Sequence, residues 1–434
     1  MSVVAADDPA VSGERVDPLA PARDRKSMPT AAVPLTTPTR QARLARAAVA
    51  ALFLTNGAVF FNVVPRYPQI KADLGVSNAV FGTALAGFPI GALLAGLLAG
   101  AAIRRFRSAR VAAFGIVVMT VATLVIPFAP NWIAFGCALF VVGALDAVVD
   151  VAQNAHGLRV QRLYRRSILN SLHGVWSIGA VLGGLMGSAA AGLRIPLAVH
   201  LSISAVLFSV VAVVALRFLL PGPEDAERTA EAQGLPAAGS RPAARRSFTA
   251  PAVRLLAVLG VLAACGALVE DAGSSWGALY LSGDLHADAA TAGLAVVALQ
   301  AAMTIGRLTG DRVVDRFGQR TVARAGATLA AAGMGAALAF PSVPTALAGF
   351  ALAGLGFATL VPAAMHTADE LPGLPSGTGL TIVSWLLRGG FLLSPPLVGF
   401  VADLTSLRVG LLSVVLAGVI TVVLAHALVN RRPA

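Results

Sequence analysis

Runs of apolar residues, broken by short charged or Pro/Gly-rich punctuation, recur from Ala47 almost to the C-terminus. A helix rises about 1.5 Å per residue, so a run of roughly 20 such residues crosses the hydrocarbon core of a bilayer. The pattern predicts helices near 44–65, 78–103, 109–127, 131–157, 168–192 and 195–220, then 252–282, 289–314, 320–340, 342–368, 376–401 and 406–429. Twelve crossings return the chain to the side on which it began. With the N-terminus placed inside, only Arg66, Lys71, Arg194 and Arg408 of the 33 Lys and Arg fall in outer loops. Arg307 and Arg388 fall within helices, and the rest sit in the tails and inner loops, as the positive-inside rule requires. The expected location is therefore a membrane crossed many times, with both termini on the cytoplasmic side.

The long polar interruption from Pro221 to Ala250 mixes Ala, Pro, Gly and charge and cannot bury a core. The expected organisation is a disordered cytoplasmic tail over 1–43, a six-helix bundle over 44–220 and a cytoplasmic linker over 221–250. A second six-helix bundle over 251–430 and a short tail over 431–434 complete it. In the first tail Asp7, Asp8, Glu14, Asp17 and Asp24 precede any apolar run, which argues against a cleavable signal. Sliding the second half onto the first without a gap aligns Asp73-Leu74 with Asp284-Leu285, Arg105-Phe106 with Arg316-Phe317, and Gly143 with Gly354. Such a repeat is the mark of a duplicated transporter.

Composition agrees and closes other routes. The chain is 57% hydrophobic and 12% charged, with a mean hydropathy of +0.79, so water is not its main solvent. The net charge of +12 lies in loops rather than on one face of a folded domain, which excludes a nucleic-acid partner. Cys137 and Cys265 sit in apolar runs and imply no disulfide. The lysines, Lys26 and Lys71, lack a phosphate-loop context, so ATP hydrolysis is not the energy source. Gly273-Ser274-Ser275-Trp276-Gly277 matches a hydrolase nucleophile pattern, but that chemistry needs a strand-turn-helix elbow, and a membrane helix cannot supply one. No enzyme activity and no cofactor are expected.

After the eighth predicted helix the chain reads Gly310-Asp311-Arg312-Val313-Val314-Asp315-Arg316-Phe317-Gly318-Gln319-Arg320, which resembles the loop motif of the major facilitator superfamily. The matching stretch after the second helix, Arg104-Arg105-Phe106-Arg107, lacks the Asp and the Gly. Asp150-Val151-Ala152-Gln153-Asn154-Ala155-His156-Gly157, Ser171-Leu172-His173-Gly174-Val175-Trp176-Ser177 and Glu270-Asp271 before Trp276 are similar to a bacterial branch of that superfamily. Its members are mostly uncharacterised inner-membrane permeases, distantly similar to proton-coupled sugar permeases. The resemblance implies two six-helix bundles rocking about a central site, with Gly310, Asp311, Asp315, Arg316, Gly318 and Arg320 as a cytoplasmic gate. Gly179-Ala180-Val181-Leu182-Gly183-Gly184 keeps the glycines of a drug/proton antiporter motif but not its proline, and close helix packing explains glycines equally well.

Charges inside the membrane are costly and mark function. Asp146, Asp150 and Asn154 recur every fourth residue and share one face of the fourth helix. A carboxylate moved out of water holds its proton more tightly, so an acid whose surroundings alternate can couple transport to protons. Asp146 or Asp150 is the leading candidate, with a structural network joining Asp150 to His173 as the competing reading. Glu270 and Asp271 are further proton-coupling candidates; they point about 100° apart on their helix, so only one is expected to face the cavity, and Glu270 is favoured. Arg388 is expected to pair with one of these acids or with an anionic substrate, and Arg307 to snorkel or pair with a loop acid rather than touch substrate. Asn56 and Asn62, flanking Phe60 and Phe61, together with Asn154, His173, Trp176 and Trp276, are substrate-binding candidates. His156, His366 and His426 lie near helix ends, where solvated histidines are common, and carry no expected role.

The expected function is secondary active transport of a small polar organic solute by alternating access, coupled to protons, in a monomer whose partners are its substrate, protons and the bilayer. Three alternatives stay open. Proton-antiport efflux of a drug or secondary metabolite would need a larger aromatic cavity. A divalent-metal permease would use Asp146, Asp150, Asn154 and His173. A non-transporting receptor or scaffold would keep the fold without the chemistry.

Overall fold

The computed structural model describes residues 39–164, 168–222, 250–371 and 378–428. The expected tail before residue 39, nearly all of the expected linker and the end of the chain from 429 lie outside the described residues. Twelve described helices are long and apolar enough to cross a membrane. The first six are α1 (Arg40–Leu74), α2 (Asn78–Gly96), α3 (Ser108–Phe128), α4 (Trp132–Tyr164), α5 (Ser171–Gly192) and α6 (Leu197–Leu216). The second six are α7 (Ala250–Gly283), α8 (Ala289–Phe317), α9 (Gln319–Ala339), α10 (Val343–Asp369), α11 (Thr378–Leu404) and α12 (Leu407–Ala427).

Two helices run about two turns or more past their predicted ends, for local reasons. Pro65 ends the regular part of α1 but tolerates a 3-10 turn over Val64–Arg66, so the helix resumes and stops only at Gly75 with φ 63°. Arg66, expected in an outer loop, is instead buried in that turn and donates to the Ile195 carbonyl at 2.9 Å. Helix α4 continues about two turns past the predicted 157, because His156 and Arg159 are buried and bonded rather than solvated. His156 Nδ1 lies 2.9 Å from Ser108 Oγ, and its Nε2 accepts the Leu220 N–H at 3.0 Å. By contrast His366 and His426 are exposed.

The duplication is visible atom by atom. Gly143 on α4 lies against the Phe88 carbonyl, and Gly354 on α10 lies against the Leu299 carbonyl; both pairs are related by the same offset that aligns the two halves. Glycine is needed at each because a Cβ there would collide with backbone. On α5, Gly179, Gly183 and Gly187 meet the Leu54, Ala58 and Asn62 carbonyls of α1, so these glycines serve close α1–α5 packing.

The halves meet along α5–α8 and α2–α11. The α2–α11 contact is carried mainly by the first part of α2, Asn78–Leu85, at the membrane end remote from the chain termini. There Gly82 abuts the Pro395 carbonyl and Gly399 the Asn78 carbonyl. The Asp403 carboxylate accepts the Asn78 and Ala79 N–H groups at 2.9 and 2.8 Å. Closer to the termini, α2 and α11 part and a cavity begins.

Candidate functional site

The cavity holds about 220 Å3 and lies between the halves, just inside the α2–α11 seal. Helix α1 contributes Asn56, Phe60, Phe61 and Tyr67, while α2 contributes Leu85, Phe88, Pro89 and Ala92. Asp146 comes from α4, Trp176 from α5, the pairs Glu270-Asp271 and Ser274-Ser275 from α7, and Arg388 and Phe391 from α11. The alternation of a polar floor with aromatic walls is therefore assembled from six helices.

On the N-terminal side the polar groups form one chain of hydrogen bonds. Trp176 Nε1 donates to Asn56 Oδ1 at 2.9 Å, and Asn56 Nδ2 donates to Asp146 Oδ1 at 2.8 Å. Because an indole N–H can only donate, the Asn56 amide oxygen must face it, which turns the amide NH2 onto Asp146. Gln153 Nε2 adds weaker contacts, 3.4 Å to Asn56 Oδ1 and 3.4 Å to Asp150 Oδ1. Phe60 packs on Phe88 and Phe61 on Trp176, with ring centroids 4.5 and 6.0 Å apart.

On the C-terminal side both Glu270 and Asp271 line the cavity, correcting the expectation that only one would. Glu270 is not free: Oε2 lies 3.2 Å from Arg307 Nη2, and Oε1 accepts from Gln300 Nε2 at 3.3 Å. Arg307 thus pairs inside the membrane rather than with a loop acid. Asp271 Oδ1 accepts from Ser275 Oγ at 3.0 Å, and the buried Ser394 hydroxyl of α11 faces the same carboxyl group. Arg388, exposed to the cavity, makes no ion pair or hydrogen bond among the described residues; where a contacting acid was expected, its charge acts on Asp146 and Asp150 only at longer range.

Several candidates lie elsewhere. Asp150 sits one turn from Asp146 toward the termini and accepts from Asn154 Nδ2 at 2.9 Å. His173, exposed, uses Nδ1 on the Leu169 carbonyl and packs on Phe53. Asp146 is thus held by Asn56 and Asp150 by Asn154, while His173 reaches Asp150 only through a charge interaction. Asn62 lies on the α1–α6 interface, where its Oδ1 is 2.8 Å from His200 Nε2 and its Nδ2 donates to Ser204 Oγ at 2.9 Å. Trp276 is fully buried in the α2–α11 seal, against Phe81, Gly82 and Gly399. Asn62, Asn154, His173 and Trp276 do not line the cavity.

In the loop motif, Gly310 packs on Thr359 and Gly318 takes φ 82°. Arg320 Nη2 donates to the Leu428 carbonyl at 3.2 Å. Asp311 and Asp315 are exposed at the termini end, and Arg316 stacks on its neighbour Phe317. Sequence reasoning missed Gln153, Gln300 and Tyr67. Intramembrane glutamines on the α4 and α8 faces were the available signal for the first two, and the run past Pro65 hid the third.

Comparison with known proteins places this geometry. Residues 49–280 and 263–434 match the Major Facilitator Superfamily. The chain is 31% identical over 378 residues to membrane protein MosC of Rhizobium meliloti, covering 87% of this chain and 88% of that protein. It is 29% identical over 384 residues to the uncharacterized transporter y4wD of Sinorhizobium fredii, covering 88% and 97%. Among solved structures, an inward-facing, unoccupied bacterial homologue of the human lysosomal transporter Spinster gives a TM-score of 0.68 at 16% identity, covering 92% of this chain and 100% of that one. The nucleoside transporter NupG gives 0.66 at 14% identity, covering 90% and 98%; at such identities the likeness concerns the fold alone. With both six-helix repeats matched and a polar cavity enclosed between them, the chain belongs to the Major Facilitator Superfamily of membrane transporters.

Proposed function

We propose that the protein is a proton-coupled secondary transporter of a small polar organic solute in the bacterial cytoplasmic membrane, working by alternating access. With the termini placed in the cytoplasm by the Lys/Arg bias, the α2–α11 seal closes the outer side and the cavity belongs to an inward-facing state. Transport then opens that seal and closes the α4–α5 and α10–α11 ends.

The observation that carries the reading is the unpaired Arg388 at the cavity, facing buried acids on both halves. A cation held only to brace helices is paired by an acid in contact with it, because a bare charge in the membrane interior is expensive. Here Arg388 faces the cavity with no ion-pair or hydrogen-bond partner among the described residues, its charge reaching Asp146 only at a distance, while Asp271 is buried beside the Ser275 and Ser394 hydroxyls. A solute with an acceptor for Arg388, and a proton on Asp271, completes the set. Asp146, held by Asn56, is the second proton carrier. The volume of about 220 Å3 is below the range of drug-sized sites, roughly 300–1,000 Å3, and favours a small solute.

Proton release from purified protein tests this, with sugars, nucleosides, amino acids and organic acids added in turn to wild type and to Asp146→Asn, Asp271→Asn and Arg388→Gln. A ligand that changes the proton count in wild type but not in one aspartate variant, and that binds weakly to Arg388→Gln, supports the reading. Binding that moves no protons in wild type sinks the coupling. The aromatic wall of Phe60, Phe61, Phe88 and Phe391 favours a second reading, proton-antiport efflux of a compact aromatic metabolite. The sign of proton movement across proteoliposomes separates the two.

A further inference from the structure

At the termini end of the N-terminal half, remote from the central cavity, a second cavity of about 680 Å3 opens between the start of α1, the start of α3 and the end of α6. Arg40, Arg107, Arg110 and Arg217 line it. All four are exposed, and none has an ion-pair or hydrogen-bond partner for its guanidinium among the described residues. Its floor is fixed: Arg159 Nη2 donates to the Pro221 carbonyl at 3.0 Å, and His156 takes the Leu220 N–H. One wall is apolar and exposed, formed by Leu44 and Phe218.

The positive-inside bias explains why cations lie at this end of the molecule, but it does not explain their convergence. The internal repeat supplies a control. The positions equivalent to Arg40, Arg107, Arg110 and Arg217 in the second half are Pro251, Gly318, Thr321 and Leu428, all uncharged. The duplicated skeleton therefore does not require a cation at any of the four. Arg107 is the sharpest case, since it adopts φ 72°, a conformation that the second half gives to a glycine. A strained residue held in place is a pointer to function.

We propose that this pocket binds the phosphate headgroup of an anionic phospholipid in the leaflet at the termini end. Guanidinium groups pair with phosphate oxygens in bidentate fashion, and basic pockets between helix ends suit lipid headgroups. Leu44 lies one turn into the membrane from Arg40, so it and Phe218 are placed to meet the glycerol and the first methylenes. A soluble phosphate would make no use of that apolar wall.

The test titrates the full-length protein in neutral detergent with phosphatidylglycerol while following its melting temperature, with phosphatidylcholine and inorganic phosphate in parallel. Phosphatidylglycerol is expected to raise the melting temperature, and the other two are not. In Arg110→Gln/Arg217→Gln the half-saturating lipid concentration should rise roughly thirtyfold, given what a Lys or Arg contributes at an anionic leaflet. Arg312→Gln/Arg324→Gln removes the same charge from the other half and should leave it unchanged. Should the first double variant fail to survive purification, Arg40→Gln, at the first residue of α1, should give a shift of about fivefold. Equal losses in both double variants would mean a diffuse basic surface, stabilisation by inorganic phosphate alone a soluble-anion site, and no response to phosphatidylglycerol no site; each overturns the proposal.

Discussion

Arg107 and Gly318 occupy equivalent positions in the two halves and share one backbone conformation, φ 72° and ψ 146° for the arginine, φ 82° and ψ 149° for the glycine. The likeness extends to their surroundings. Each donates its N–H to the residue four positions back, Ile103 and Val314, at 2.7 Å, and each follows an Arg-Phe pair whose guanidinium lies over the ring, at 5.2 and 5.5 Å. The turn between α2 and α3 is thus the glycine turn of the loop motif, built with an arginine.

That relationship predicts opposite outcomes for two substitutions. A side chain in this region costs about 1–3 kcal/mol. Arg107→Gly relieves the cost and gives back part of it as unfolded-state entropy, roughly 0.5–1 kcal/mol. Its melting temperature in detergent without added lipid should rise. Gly318→Ala imposes the cost and should melt lower. If phosphatidylglycerol is bound as proposed, the advantage of Arg107→Gly shrinks as that lipid is added.

Asn56 predicts a loss of stability out of proportion to its size. It donates to Asp146 and accepts from Trp176 Nε1, so Asn56→Ala strands a donor and an acceptor at once. A buried group left unpaired costs about 1–3 kcal/mol, and the cavity can return some water, so a net loss of about 2–3 kcal/mol is expected. Trp176 fluorescence should shift with it. An unchanged melting temperature and spectrum would show that the relay is not formed.

Helix α7 contributes the opposite kind of test. Glu270 and Arg307 are an ion pair joining α7 to α8, with Gln300 on the second carboxylate oxygen. Removing either partner leaves a charge bare, whereas removing both does not. Glu270→Gln and Arg307→Gln should each destabilise, and the double variant should lose less than their sum, with a coupling of about 1–3 kcal/mol. Additive losses would mean that the two charges are independently solvated.

The fold was legible in the chain because one property, runs of apolar residues with cations confined to one side, is set by the bilayer alone. The repeat was legible too, since Gly143 and Gly354 keep their identity wherever two backbones touch. The site was only half legible. Helical spacing places Asp146, Asp150 and Asn154 on one face, but only the neighbouring helix decides which of them meets the cavity, and α1 meets Asp146 through Asn56. Glu270 and Arg307, on different helices, carry no periodic signal of their pairing. Trp276 was misplaced because a tryptophan near intramembrane acids looks like a binding residue, whereas the packing of Gly82 and Gly399 against it belongs to the seal.

The seal itself supplies the last prediction. Asp403, at the end of α11, accepts two backbone N–H groups from the first turn of α2, where a carboxylate also meets the positive end of the helix dipole. This contact exists only while the end remote from the termini is closed, so it biases the conformational equilibrium rather than the stability of either half. Removing it should cost the closed-outside state about 1–2 kcal/mol, given that the carboxylate is exposed, and raise the outward-open fraction roughly five- to thirtyfold relative to the inward-open one. In a background lacking Cys137 and Cys265, a single cysteine at Phe88 reports the change, because Phe88 lines the cavity immediately inside the seal. Asp403→Ala should speed its labelling from the side opposite the termini and slow it from the termini side. Labelling that speeds from both sides would mean loosened packing, and labelling unchanged from either would mean that Gly82, Gly399 and Trp276 hold the seal without Asp403.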